Sequence, residues 1–128
     1  MFREKRKPIS PRPLTARESG WIHDIVRVNP LWRDTDTSRT QVVEEGLVDE
    51  GVAFVLNTDV PENAKAKGTR ESVGNLWIQL SDAATINVQL SHVDGRLKEL
   101  YLLVIDPTNP HRQFPNDWVE VSREAVDL

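Results

Sequence analysis

The stretch from Ser91 to Asp106, SHVDGRLKELYLLVID, carries side chains that could do chemistry. His92, Asp94 and Glu99 are residue types that could bind a metal ion or transfer protons. The set is incomplete, because the other two histidines lie far away in the sequence and no H-x-x-x-H or H-E-x-x-H motif occurs. The same residues fit an Asp-Gly turn between two strands. We therefore predict a hairpin at this point and no metal site.

The register of this hairpin decides which side chains face a core. A three-residue loop at 93–95 pairs Val88 with Leu100 and places Gly95 in the left-handed conformation. This register, which we prefer to a two-residue loop, puts the aliphatic residues on one face: Ile86, Val88, Leu90, Leu100, Leu102 and Val104. The opposite face gathers polar and aromatic residues, and four of them form our candidate surface for a partner or ligand: Trp77, Gln89, Glu99 and Tyr101.

Other patterns that support catalysis are missing from the sequence. Cysteine is absent, which excludes a thiolate zinc site, a cysteine nucleophile and a disulfide. No G-x-S-x-G elbow, G-x-G-x-x-G loop or P-loop occurs. Glu44 and Glu45 are neighbours in the chain, so their side chains point to opposite faces of a strand. We assign no catalytic residue and no cofactor, and we favour a protein that is not an enzyme.

The periodicity of apolar residues predicts an α+β domain. Thr15 and Glu18 have the spacing of a capping box, and an apolar stripe follows at helical spacing until Pro30 ends the helix. Alternating apolar segments separated by turn residues begin at Thr40. We predict an antiparallel sheet of about five strands, a meander of hairpins, packed on this one N-terminal helix.

Two segments fall outside this pattern. Residues 58–72 contain almost no apolar side chain and predict a long surface loop, which in small domains is often mobile or functional. The segment after Ile105 contains three prolines and predicts an irregular Pro-rich tail, with Phe114 and Trp118 as anchors on the body. Within this tail, residues 116–126 could form a strand or a short closing helix, and we favour the helix.

The net charge of −4 is unevenly distributed. Residues 1–12 hold five basic side chains and one acidic one, so they carry +4 and the remaining residues carry −8. We predict a flexible basic arm over 1–12 and a single domain over 13–128. An acidic body favours a protein partner with a basic surface and disfavours nucleic acid, which would have to bind through the arm.

No apolar run approaches the ~20 residues of a membrane helix, and the N-terminal stretch lacks the apolar region of a signal peptide. Together with the absence of cysteine, this predicts a soluble, cytoplasmic protein without membrane contact.

Two short motifs suggest a relationship. RPLTARE, from Arg12 to Glu18, and the late DGRLKEL segment from Asp94 to Leu100 resemble motifs of a group of small uncharacterised bacterial proteins. These proteins have an N-terminal R-x-L-T-x-x-E helix and a late D-G-x-L-x-x-L hairpin, and the resemblance extends over most of 13–115. It implies no established activity, and an immunity-like or accessory role only by analogy.

Three functional hypotheses follow from these features. The first is a non-enzymatic protein-binding module, immunity-like, whose acidic body meets a basic partner. The second is a small-ligand-binding or enzymatic domain that uses the polar sheet face, with the 58–72 loop as a lid. The third is nucleic-acid binding through the basic arm. A homodimer formed through edge strands or Trp77 is compatible with the first hypothesis.

Overall fold

The computed structural model describes residues 5–48, 51–58, 62–115 and 117–126. Within these residues one α-helix packs on one antiparallel sheet, so the predicted α+β class is confirmed. The elements in chain order are β1 (Lys5–Pro13), α1 (Ala16–Val28), β2 (Thr40–Val48), β3 (Gly51–Thr58), a 3-10 turn (Ala64–Ala66), β4 (Ser72–Leu80), β5 (Thr85–Val93), β6 (Arg96–Ile105) and β7 (Glu120–Val126).

The sheet has seven strands, in the order β1-β2-β3-β6-β5-β4-β7, and the predicted number of about five is wrong. The two additional strands lie at the edges. From Lys5 onward, the segment that we predicted as a flexible arm is β1, which pairs with β2. We did not predict this strand because it contains three prolines, and proline is tolerated at a sheet edge but disfavours a strand elsewhere.

The C-terminal segment also differs from its prediction. Residues 120–126 form strand β7 against β4, so both the helix that we favoured for 116–126 and an irregular tail throughout are wrong. Residue 116 lies outside the described residues. Phe114 and Trp118 do contact the body: the Trp118 ring stacks on Trp21 at 6.1 Å between centroids, and Phe114 meets Trp118 edge-on at 5.5 Å.

The strand order is a meander only in part. β2 and β3 form one hairpin, and β4, β5 and β6 follow one another through tight turns. β6 then pairs with β3. The connection between β3 and β4 therefore passes the positions of β6 and β5 before it reaches β4. The connection between β6 and β7 passes β5 and β4 in the same direction and reaches the other edge of β4. In their described parts, both crossing connections are long segments without regular strands.

The β5–β6 hairpin has a two-residue turn rather than the predicted three-residue loop. Asp94 and Gly95 both have positive φ, 52° and 89°, and Val93 pairs with Arg96. A bulge at Ser91 and His92 then shifts the register. The extra residue of the bulge returns the apolar side chains to the predicted face, and each of them is at most 3% exposed: Ile86, Val88, Leu90, Leu100, Leu102 and Val104. The predicted faces are therefore confirmed, although the predicted pairs are wrong.

Helix α1 lies against β4, β5 and β7 on this apolar face. A Cβ atom at Gly74 of β4 would lie 3.0 Å from the Ile25 side chain and 2.9 Å from the Val126 carbonyl oxygen. Only glycine permits this close approach of the helix and β7 to β4. The apolar face of the sheet, the helix and the anchors Phe114 and Trp118 together form one hydrophobic core.

The start of α1 joins three elements. The capping box is confirmed: the Glu18 amide donates to Thr15 Oγ1 at 3.1 Å, and the Thr15 amide donates to Glu18 Oε1 at 2.9 Å. Arg12 of β1 donates two further hydrogen bonds to the Glu18 carboxylate, at 2.8 and 3.0 Å, and lies over the ring of Phe54 of β3. Burial by itself raises the pKa of Glu18, but the hydrogen bonds from Arg12 and Thr15 outweigh it and hold the pKa below its ordinary value.

We expect Glu18→Gln to lower the free energy of unfolding by about 2 kcal/mol near neutral pH, because the charged hydrogen bonds to Arg12 are lost. The pKa of Glu18 is lower in the folded than in the unfolded chain, so its contribution is complete above the ordinary carboxyl value of 4.5 and disappears as the pH falls through the folded value. Urea unfolding of both proteins between neutral and acidic pH measures this. The exposed Glu71→Gln is the matched control, and a pH-independent difference at Glu18 would contradict the ion pair.

Candidate functional site

All four predicted site residues share one face of the sheet, the face that points away from α1. We call this the outer face. Gln89 of β5 lies directly opposite Tyr101 of β6, and Glu99 lies two residues before Tyr101 on the same face. Trp77 of β4 lies opposite Asn87, which is two residues before Gln89. The alternation of side chains along each strand predicted that these residues share a face. The register of the strands brings them together across three adjacent strands.

A row of side-chain amides connects β4 and β5 on the outer face. Gln89 Nε2 donates to Asn87 Oδ1 at 2.7 Å, and Asn87 Nδ2 donates to Asn75 Oδ1 at 3.3 Å. Asn87 is only 2% exposed, so its amide orients the more exposed Gln89. Our sequence-based candidates did not include Asn75 and Asn87. Their alternation with Trp77 and Gln89 is the signal that would have identified them.

Trp77 is the exposed aromatic residue of this face. Its side chain is 38% exposed, whereas Trp21 and Trp32 are buried in the core. An open cavity of about 430 Å³ lies between Trp77 and strand β7, with Gln79, Thr85, Ser122, Arg123 and Glu124 around it. Glu99 and Tyr101 are half-buried, and both are held by interactions with other residues. The outer face therefore offers a shallow surface with a protruding indole, not an enclosed pocket.

The structure separates the three residues that suggested a catalytic constellation. His92 is buried on the core side of the hairpin, Asp94 is an exposed turn residue, and Glu99 lies on the outer face. His92 Nδ1 accepts from the Gly95 amide at 3.1 Å, so the proton of the neutral ring is on Nε2. Nε2 lies 2.5 Å from the Arg70 carbonyl oxygen and donates to it. His92 therefore has a structural role.

The described part of the predicted lid, residues 62–71, is fixed at the hairpin end. The Asn63 amide donates to the Gly95 carbonyl at 2.8 Å, and the Asn63 side chain donates to the Leu31 carbonyl at 2.7 Å. A Cβ atom at Gly95 would lie 2.5 Å from the Asn63 carbonyl oxygen, so this contact requires glycine. Ala66 in the same segment is fully buried in the core. The segment covers the core near Trp32, and we find no contact that places it over the outer face.

Within the described ranges, no group of three or more histidine or carboxylate side chains could hold a metal ion. The same part of the chain contains no helix with the length and apolar character needed to span a membrane.

No protein-family model matches the chain, and no curated protein or solved structure matches it either. The resemblance described above therefore rests on its two short motifs. In the structure, the first motif is the junction of β1 and α1, where Arg12 binds Glu18. The second is the turn between β5 and β6. Each motif has a local structural reason, so neither of them indicates a particular activity.

The exposure of Trp77 and Trp32 predicts that their removal lowers stability by different amounts. We expect Trp77→Ala to lower the free energy of unfolding by about 1–2 kcal/mol, because more than a third of its side chain is already in water. Trp32→Ala, which empties a buried site, should cost about 3–5 kcal/mol. Urea unfolding measures both values. A loss at Trp77 as large as that at Trp32 would identify Trp77 as a core residue and remove it from the candidate surface.

Removing the His92 ring should loosen the 62–71 segment. We expect His92→Ala to cost about 3 kcal/mol and to accelerate amide exchange in 62–71, because two backbone groups and a buried aromatic contact lose their partner. His92→Gln keeps a donor for the Arg70 carbonyl and should be intermediate. His111→Ala, at an exposed histidine, is the control. Unchanged exchange in His92→Ala would refute the structural role of this ring.

Proposed function

We propose that this chain is a non-enzymatic protein-binding module that contacts its partner through the outer face. The observation that supports this most directly is the exposed Trp77 indole beside an open cavity. Tryptophan and tyrosine are the residue types most often found as anchors at the centre of protein interfaces. Tyr101 and the oriented Gln89 amide extend the surface across β5 and β6, so the anchor has polar neighbours that can pair with a partner.

The charge distribution supports a partner with a basic surface. Glu44 and Glu99 both lie opposite Val55 on the outer face, and Glu124 lies opposite Trp77. Two basic residues of β1 lie beside acidic groups of the same molecule: Lys7 lies opposite Glu45, and Arg12 binds Glu18. The positive charge of these two residues is thus directed at the protein itself, which supports a protein partner rather than nucleic acid.

The small-ligand or enzymatic alternative has less support. It requires an enclosed pocket on the outer face and a mobile cover, whereas the cavity beside Trp77 is open and residues 62–71 are bound to the hairpin turn. The immunity-like role rests on the motif resemblance, and the cytoplasmic location rests on the cysteine-free sequence. Both stay predictions within this proposal.

Site-specific photo-crosslinking tests the proposal. We would place a photo-reactive amino acid at position 89, on the outer face, and in a second protein at the exposed helix position 27. In native lysate we expect a discrete crosslinked adduct from position 89 and none from position 27. Trp77→Ala should abolish the adduct without unfolding the protein, and high salt should reduce it because complementary charge assists binding.

Two results would count against the proposal. One is the absence of an adduct from position 89 at both low and high salt. The other is an adduct that forms equally from position 27 or survives Trp77→Ala, because binding would then not depend on the outer face.

A further inference from the structure

The two edges of the sheet differ in their capacity to bind another strand. β1 contains Pro8, Pro11 and Pro13, which lack the amide hydrogen that an added strand would need, and it contains several basic residues. Such residues protect sheet edges from further pairing. β7 contains neither proline nor lysine. In the described part of the chain, β7 is the last strand of the sheet and pairs with β4 alone. Its outer edge is therefore suited to accept a strand.

Apolar surface is concentrated at the same edge. Val119 and Val121 are 66% and 65% exposed, more than the other large exposed apolar residues of the described chain. The cavity beside Trp77 borders β7 at Ser122 and Glu124. A second open cavity, of about 280 Å³, lies at the start of β7 beside Trp118 and Val119. An added strand would thus find main-chain groups at the edge and recesses for its side chains on either side.

The charged residues around β7 favour one kind of added strand. Asp117, Glu120 and Glu124 line this segment, and its one cation, Arg123, already binds Glu120 and Asp24. A second copy of β7, paired antiparallel about a two-fold axis, would oppose residues that share a face. Glu124 lies on the outer face opposite Trp77, whereas a bulge in β7 turns Glu120 to the helix side, where it binds Arg123. A two-fold axis near the middle of β7 would bring the two Glu124 carboxylates together directly or diagonally across the strands, which is unfavourable. A strand with basic residues at alternate positions avoids this repulsion.

We propose that the partner of this module adds an extended segment, with lysine or arginine at alternate positions, to the free edge of β7 beside Trp77. This inference rests on the proposed function and specifies its mode of recognition. Main-chain hydrogen bonds to β7 provide affinity, and the alternating side chains provide specificity, as in other cases of strand addition.

Three synthetic peptides of about eight residues test the inference, since this length matches a single strand. One alternates lysine and valine, one alternates glutamate and valine, and one alternates lysine and proline. In fluorescence anisotropy with the full chain, we expect the Lys/Val peptide to bind at least about tenfold more tightly than the other two. Amide exchange should slow in Glu120–Val126 when this peptide is bound. Val121→Lys should weaken binding about tenfold, whereas Val93→Lys, at another exposed valine in the β5–β6 hairpin, should not.

The alternative results are separable. Equal binding of the Lys/Pro peptide would mean attraction by charge without strand addition, and would overturn the inference. Equal weakening by Val93→Lys would do the same. Dimerisation in sedimentation experiments that Val121→Lys abolishes would identify a second copy as the occupant and also overturn it. If the Lys/Val peptide does not bind while position 89 still crosslinks, strand addition fails and the proposed function stands. Loss of that crosslink would reject the proposed function itself.

Discussion

The ion pair between Arg12 and Glu18 is the interaction on which the arrangement of the molecule depends. The Glu18 carboxylate lies in the first turn of the helix and is almost completely buried, so it requires partners to remain charged. One of these partners is the Thr15 amide of the cap, and the other is Arg12 near the end of β1, which donates two hydrogen bonds. The edge strand and the helix are thereby fixed to each other. From this junction the helix runs across the apolar face of the sheet, and the opposite face stays open.

The position of the helix on one face of the sheet leaves other surfaces open. The helix and the anchors Trp118 and Phe114 cover one face of the sheet. Stacking of Trp118 on Trp21 holds the C-terminal segment against the helix. The following residues then pair with β4 and form β7. The outer face receives no covering element among the described residues, and β7 receives no second neighbour there. The surfaces that we assign to binding are therefore those that no described element covers.

The candidate site illustrates the limits of reading chemistry from neighbouring residues. His92, Asp94 and Glu99 are close in the sequence, but a tight turn and a bulge direct their side chains to three different environments. Trp77, Gln89 and Tyr101 are distant in the sequence, yet the register of β4, β5 and β6 places them on one face. Alternation along each strand could be predicted, because side chains of a strand point to opposite faces in turn. The bulge that preserves this alternation could not.

The amino-acid sequence by itself determined the features that arise from residues a few positions apart. The capping box at Thr15, the apolar stripe of the helix and the positive φ angle of Gly95 are of this kind, because nearby backbone and side-chain groups satisfy them. The tertiary structure alone decided β1, β7 and the role of His92. Lys5 pairs with Leu47 and Trp77 with Glu124, and such pairs are set by burial and hydrogen bonding across the whole sheet.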